Sequence, residues 1–551
     1  MTAPGLWTIG FAVVYTALLV VGGRLIQRRA AAGNKDSGFF VGGRSFSPWT
    51  VAFCITGLFS GSSYIAILEL SYRTGISALW YGVAETVQIL LIALLLVKPL
   101  REKMVVTVTG IIGDRFGRGA QVIAGIITAF TFPMWSVATA IAFASALHAF
   151  TSLSIYSSII FTAVLLLIFL WSGGMRAVAF TQTMNCIVFV AMVIVGVIAF
   201  FINPGFQGLG KLAAEQPQML DLSSAGVTLI AAWFGTFIVN VLLAQAAFQM
   251  TMSCRTPSEG RKGLLMAAGF GLPLIIVGVI LGTAAAIVVP HQGLALVAVP
   301  LYIAQVLPAP LAGVFFLGIW ACALGWAGPC QFSGATSLGR DVGRALRPRA
   351  TEQDLIRYTR WSLVLLTVLM IVFAFLRAEQ SAWWNVLAWT LRNGATLAPV
   401  LAAFFWPLAT RRAAHAAMIT GFASGLLWYQ LGGWSPNSFH WGIHPVWVGM
   451  SVNVIVLITV SLASTRFKIT DIAPRRARGY GAATAWLIFT AAAGLNAQWL
   501  HASGLAGLAV FITVALGATT AFLLTETVPD GRSKVPTEAD TRTTTGVLVR
   551  D

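Results

Sequence analysis

About fifteen apolar runs, each long enough to cross a bilayer, succeed one another along this chain and leave room for little but a bundle of membrane helices. They lie at roughly 6–26, 48–70, 79–99, 121–146, 155–171, 177–201, 225–248, 264–289, 310–335, 359–376, 383–407, 413–432, 444–465, 481–500 and 503–525. A hydrocarbon core about 30 Å thick takes roughly 20 helical residues. Composition agrees: 58% of the 551 residues are hydrophobic and 10% charged, with mean hydropathy +0.83, more apolar than any soluble fold needs. Nineteen Trp and 35 Phe suit lipid-facing and interfacial positions.

The charge reports on the loops. A net charge of +17 raises nucleic acid as a partner, but the basic residues sit in short loops rather than on one face, which is an orientation signal. Arg28, Arg29, Lys35 and Arg44 occupy the first loop, and Arg101, Lys103, Arg115 and Arg118 the third. Arg255, Arg261 and Lys262 follow the seventh run, Arg340, Arg344, Arg347, Arg349 and Arg357 the ninth. Arg466, Lys468, Arg475, Arg476 and Arg478 follow the thirteenth, while the intervening loops are nearly bare, with Arg73, Lys211 and Arg377 as exceptions. Unbroken alternation predicts a multi-pass protein of the cell (inner, cytoplasmic) membrane with its N-terminus outside and its C-terminus in the cytoplasm. The first run lacks a basic leader and a small-residue cleavage site, so it reads as retained. Cys54, Cys186, Cys254, Cys322 and Cys330 are odd in number, lack metal-type spacing and read as free and inert.

Inside the second run stands Ser60-Gly61-Ser62-Ser63-Tyr64. Small polar residues add nothing to insertion. A glycine flanked by serines loosens a helix and leaves carbonyls and hydroxyls able to hold an ion or solute, the sequence pointer to a transport site. Close helix packing through small residues is the other reading.

Ordered motifs bear on that choice. Gly42-Gly43-Arg44-Ser45 with Pro48-Trp49 resembles the entry to the second helix of the sodium:solute symporter family. Gly75 through Tyr81, Gly113-Asp114-Arg115-Phe116-Gly117, and Gly173-Gly174-Met175-Arg176-Ala177-Val178 are similar to further motifs of that family. In the last of these, Gln182 stands where an Asp is usual. Gln249 with Ser258 through Gly263, and the stretch from Pro399 through Phe405-Trp406-Pro407 to Arg411, Arg412 and Gly421, complete six matches in order. The resemblance implies a LeuT-type all-α core of two inverted five-helix repeats, residues 48–201 and 225–407. An N-terminal helix and loop (1–47), about four accessory C-terminal helices (413–525) and a disordered cytoplasmic tail (526–551) complete the chain. It further implies that the first helix of each repeat is broken at mid-membrane, near Phe59–Ser63 and around Gly235–Asn240, with the solute between them.

The resemblance also implies a sodium ion between carbonyls corresponding to Thr56 and Phe59 and two hydroxyls on the eighth core helix. Counting back from Arg340-Asp341 puts Gly325 and Trp326 at the hydroxyl positions. Neither side chain offers the oxygen a hard cation takes. Ser333, Thr336 and Ser337 lie about 11–17 Å further along the helix, too far to substitute. The sodium site is therefore expected to be altered, and the coupling ion is Na+ or H+. Ionisable residues inside membrane spans are functional candidates by default. Glu69 and Glu85 are candidate proton carriers, and Glu85 also a solute contact; structural readings are Glu69 bonded to Tyr72 or Arg73, and an ion pair of Glu85 with Arg392. Arg392 suits bidentate capture of a carboxylate. Ser60, Ser62, Ser63, Gln245 and Asn393 would complete the pocket.

The expectation is a symporter moving a small polar, carboxylate-bearing solute by alternating access, driven by a sodium or proton gradient. Its partners would be the solute and the lipid bilayer, with no nucleic acid, no metal site and no cofactor, in a monomer. A transporter-like sensor is the alternative; the short tail holds no kinase or receiver domain, which needs on the order of 100 residues, so it would require a separate signalling partner. No nucleophile motif, phosphate loop or zinc spacing points to an enzyme.

Overall fold

The computed structural model describes residues 2–31, 44–102, 107–151, 153–171, 175–293, 295–378, 381–465 and 477–525. Gly42, Gly43, Gly173 and Gly174 of the motifs, Lys35, Lys103, Arg466, Lys468, Arg475 and Arg476 of the loops, and the tail 526–551 lie outside the described residues. So do the side chains of Arg28, Arg29 and Ser62.

Each expected span coincides with a helix or an interrupted helix. The chain opens with α1 (Ala3–Ala31). The first repeat begins with α2 (Pro48–Phe59), which passes through a π-helical turn (Ser60–Tyr64) into α3 (Ile65–Thr74). Then come α4 (Leu79–Leu91), α5 (Arg118–Phe150), α6 (Ile155–Trp171) and α7 (Met175–Ile202). The second repeat contains α8 (Val227–Asn240) and α9 (Gln245–Met252), then α10 (Pro257–Val288), α11 (Ala309–Ala335), α12 (Glu352–Leu376) and α13 (Ser381–Phe405). Four long helices follow among the described residues: α14 (Arg411–Leu431), α15 (Pro445–Thr465), α16 (Ala477–Leu495) and α17 (Ala506–Thr525). Among the described residues, ten helical stretches are long and apolar enough to cross a membrane by length and composition.

Local chemistry sets the helix starts. Ser47 caps α2 by accepting the Thr50 amide, with Pro48 in the first turn, where its missing N–H costs nothing. Reciprocal capping boxes start α10 (Thr256 with Glu259) and α12 (Thr351 with Asp354). Within the bundle, 89% of the α5 window and 83% of the α11 window are buried, against 22% for α17, which puts α5 and α11 at the centre. All five cysteines are free and buried.

The interruptions differ from expectation in kind and place. The first is not an unwound break: residues 60–64 stay helical but widen to a π turn. Such single turns occur where a helix is locally re-registered, often at functional sites. The second break falls at 241–244, just past the expected 235–240, where Ala244 leaves helical geometry (φ −71°, ψ 64°) before α9 resumes.

Candidate functional site

A cavity lies where the two interruptions face the bundle centre. Its walls include Glu85 of α4, Phe132 and Trp135 of α5, Asn240 at the end of α8, Trp326 of α11, and Trp389 and Arg392 of α13. It encloses about 40 Å³, room for very few waters and well below the roughly 300 Å³ at which ligand pockets begin.

Arg392 dominates this space. It is 1% exposed, and Nε, Nη1 and Nη2 make no hydrogen bond. Its guanidinium carbon lies 5.0 Å from the Phe132 ring centroid and 5.4 Å from that of Trp135. Aromatic faces attract a cation but do not replace the hydrogen bonds that burial has removed. The indole Nε1 groups of Trp326 and Trp389 and the Asn240 Oδ1 are also buried without partners. The cavity wall therefore holds several unsatisfied donors, on Arg392, Trp326 and Trp389, and one unsatisfied acceptor, Asn240 Oδ1. Glu85 lines it too, and its carboxylate accepts the Ser63 hydroxyl. Arg392 forms no ion pair among the described residues, so the structural pairing with Glu85 is absent.

The other sequence candidates are engaged with other partners. Ser60 donates to the Gly57 carbonyl at 2.7 Å, and neither Ser60 nor Ser63 is among the residues lining the cavity. Gln245 does line it, but its amide is spent on Ser333 O (3.0 Å), Ser337 Oγ (2.9 Å) and the Val108 amide (3.1 Å). Asn393 turns away from the cavity and donates to Thr236 O at 3.0 Å. Glu69 lies beyond the π turn and accepts from the backbone amides of Ser381 and Ala382 and from the Ser381 hydroxyl. Tyr72 and Arg73 are bonded to Val289 and Gly293 instead. Gly325 and Trp326 pack against α2 and the π turn: a Cβ on Gly325 would lie 2.5 Å from Gly57 O, and one on Gly61 2.3 Å from Trp326 Cβ.

Both ends of the cavity are tied. α2 and α11 run antiparallel where Gly57 and Gly61 meet Gly325 and Cys322, so Asp341 and Glu69 lie towards opposite ends. At one end Thr107 donates to Asp341 at 2.6 Å, Asp341 pairs with Arg340 at 3.1 Å, and Thr109 and Ser337 hydroxyls meet at 3.2 Å. At the other, Glu69 joins α3 to the start of α13. Nearby, outside the spans, burial pushes the Asp114 carboxyl above the usual range, against the pull of Arg340. The aromatic walls were not legible as a site in the sequence, because Trp and Phe recur throughout an apolar chain; Arg392 was, because a charge inside a span stands out.

An inverted-repeat bundle of apolar helices around a small central cavity is the architecture of a membrane transporter. The chain belongs to the sodium:solute symporter family, whose model matches residues 39–421. The sodium/proline symporter of Staphylococcus aureus (strain Newman) is 24% identical over 502 residues, covering 82% of this chain and 92% of that one. The uncharacterized symporter YidK of Escherichia coli (strain K12) is 23% identical over 467 residues, 80% and 81% of the two chains. The monocarboxylic acid transporter of Corynebacterium glutamicum is 21% identical over 453 residues, 75% and 82%. Among solved structures, a Na+-coupled sialic acid symporter in a substrate-bound outward-open state superposes with TM-score 0.67 at 14% identity, covering 85% of this chain and 98% of that one. Mhp1, a nucleobase-cation-symport-1 family transporter, gives 0.50 at 12% identity, covering 79% and 95%. The superpositions show a LeuT-type fold, and membership of the family makes the chain a secondary symporter.

Proposed function

We propose that this symporter carries a small carboxylate-bearing solute across the cell membrane and that Arg392 binds its carboxylate. The observation that carries this reading is the buried guanidinium with all three nitrogens unbonded at the cavity wall. A buried cation left unpaired is costly, and a carboxylate on its fork would supply two charge-assisted hydrogen bonds. The indoles of Trp326 and Trp389 offer two further donors and apolar surface for the solute's body. Because the cavity is small, loading requires the ties at one end to part, as alternating access demands. Glu85, at the cavity wall, is the proposed proton carrier; Glu69, engaged with α13, is not. The loop charges support an N-terminus outside and a C-terminus in the cytoplasm.

A thermal-shift screen of purified protein against carboxylates and their matched amides tests the reading. Stabilisation by one or more carboxylates, absent for the amide and lost in Arg392→Gln, is the expected result. Equal stabilisation by acid and amide would sink it. Counterflow of the solute in proteoliposomes separates transport from sensing, which would bind without flux.

A further inference from the structure

Gln182 is 1% exposed on α7, and its Nε2 donates to the Gly325 carbonyl at 2.7 Å. Its Oε1 is engaged in turn: Asn185 Nδ2 donates to it at 3.3 Å, and the Tyr15 hydroxyl donates to Asn185 Oδ1 at 3.0 Å. Every link is neutral and runs the same way, from α1 through α7 to α11. Turning the Gln182 amide over would set oxygen against the Gly325 carbonyl and NH2 against the NH2 of Asn185. The network therefore fixes which atom faces Gly325.

The helices close around this bond. A Cβ on Gly57 would lie 2.6 Å from Gln182 Oε1, and one on Gly325 2.5 Å from Gly57 O, so α2 and α11 meet almost backbone to backbone with the Gln182 amide against both. A hard cation there needs several oxygen ligands. The Gly57 carbonyl already accepts Ser60 Oγ, the Thr56 carbonyl accepts the Ser60 amide, and Gly325 and Trp326 have no side-chain oxygen. Thr56 Oγ1 lacks a partner and each carbonyl keeps a lone pair, but α11 offers no side-chain oxygen at 325 or 326, and the Gln182 NH2 group, a donor, is turned to the Gly325 carbonyl. The residues present do not fit a sodium ion.

We infer that the Gln182 amide stands where the family resemblance puts sodium, bridging α7 and α11 with a fixed neutral donor, so that no sodium ion binds between α2 and α11. A carboxylate at 182 would attract a cation to the Gly325 carbonyl; the amide satisfies that carbonyl itself. The inference concerns the driving ion and is independent of which solute Arg392 binds.

The test uses purified full-length protein without solute, melted in NaCl and in KCl at equal ionic strength, as wild type and as Gln182→Asp. Wild type is expected to melt at the same temperature in both salts. Gln182→Asp is expected to show a sodium-specific rise that saturates with concentration, as ligand linkage requires. A saturable sodium-specific rise in wild type would overturn the inference. A Gln182→Asp protein as indifferent to sodium as wild type would also overturn it, because something other than the amide would then exclude the ion. Gln182→Glu, with the same reading, serves if the Asp variant does not fold. With no solute present, neither result depends on the carboxylate reading.

Discussion

The carboxylate of Glu69 on α3 receives the first backbone amides of α13: Ser381 N at 3.1 Å and Ala382 N at 2.9 Å, together with the Ser381 hydroxyl. The amides at a helix start have no partner within the helix and carry its positive end, so a buried carboxylate there is both bonded and electrostatically favoured. Glu69→Gln trades an acceptor oxygen for an NH2 that faces donors. The variant is expected to lose about 1–3 kcal/mol of stability, read as a lower melting temperature of purified protein, while Ser381→Ala, which leaves both backbone bonds, loses less. Equal melting of Glu69→Gln and wild type would remove Glu69 as the tie between α3 and α13.

Arg392 predicts a conflict between stability and function. Replacing an unpaired buried cation by an apolar side chain of similar length relieves a desolvation cost. Arg392→Met is therefore expected to melt higher than wild type without solute and to lose the carboxylate-dependent shift. Arg392→Lys keeps charge but not the planar fork, and binding weakens about tenfold or more, or roughly 1.4 kcal/mol. A titration of each variant with the best carboxylate of the screen measures both effects.

Glu85 offers a test of the driving force. With protons as the coupling ion, uptake into proteoliposomes follows an imposed pH gradient at equal sodium, and Glu85→Gln abolishes accumulation while sparing counterflow. Uptake driven by sodium alone at symmetric pH would refute proton coupling.

Gly61 sets how closely α11 approaches the π turn, since an added Cβ would meet Trp326 Cβ at 2.3 Å and Cys322 O at 2.5 Å. Overpacking of this kind costs about 1–3 kcal/mol. Gly61→Ala is expected to melt lower than wild type, whereas Gly269→Ala, inside α10 with nothing within 4 Å, is expected to melt no lower than wild type.

Several of these residues were visible in the chain before any coordinates. Glu69, Glu85 and Arg392 stand out because charge is rare inside apolar runs, and Gly325 with Trp326 because they fall where hydroxyls were expected. What each one touches was not visible. Gln245 lines the cavity yet spends its amide on Val108, Ser333 and Ser337, partners 88 or more positions away. Asn393, one residue from Arg392, faces Thr236 instead, because neighbours on a helix point about 100° apart.

By itself, the sequence determined the membrane bundle, the approximate place of its spans and its family, because hydrophobic run length and ordered motifs are local quantities that need no partner to be read. Only the tertiary structure decided that Ser60–Tyr64 stays wound as a π turn, that Glu69 ties α3 to α13 while Glu85 and Arg392 share a cavity without pairing, and that Gln182 faces Gly325. Those facts depend on contacts between helices distant in the chain. In a bilayer, where apolar burial hardly distinguishes one helix neighbour from another, close packing and hydrogen bonds between helices set such contacts.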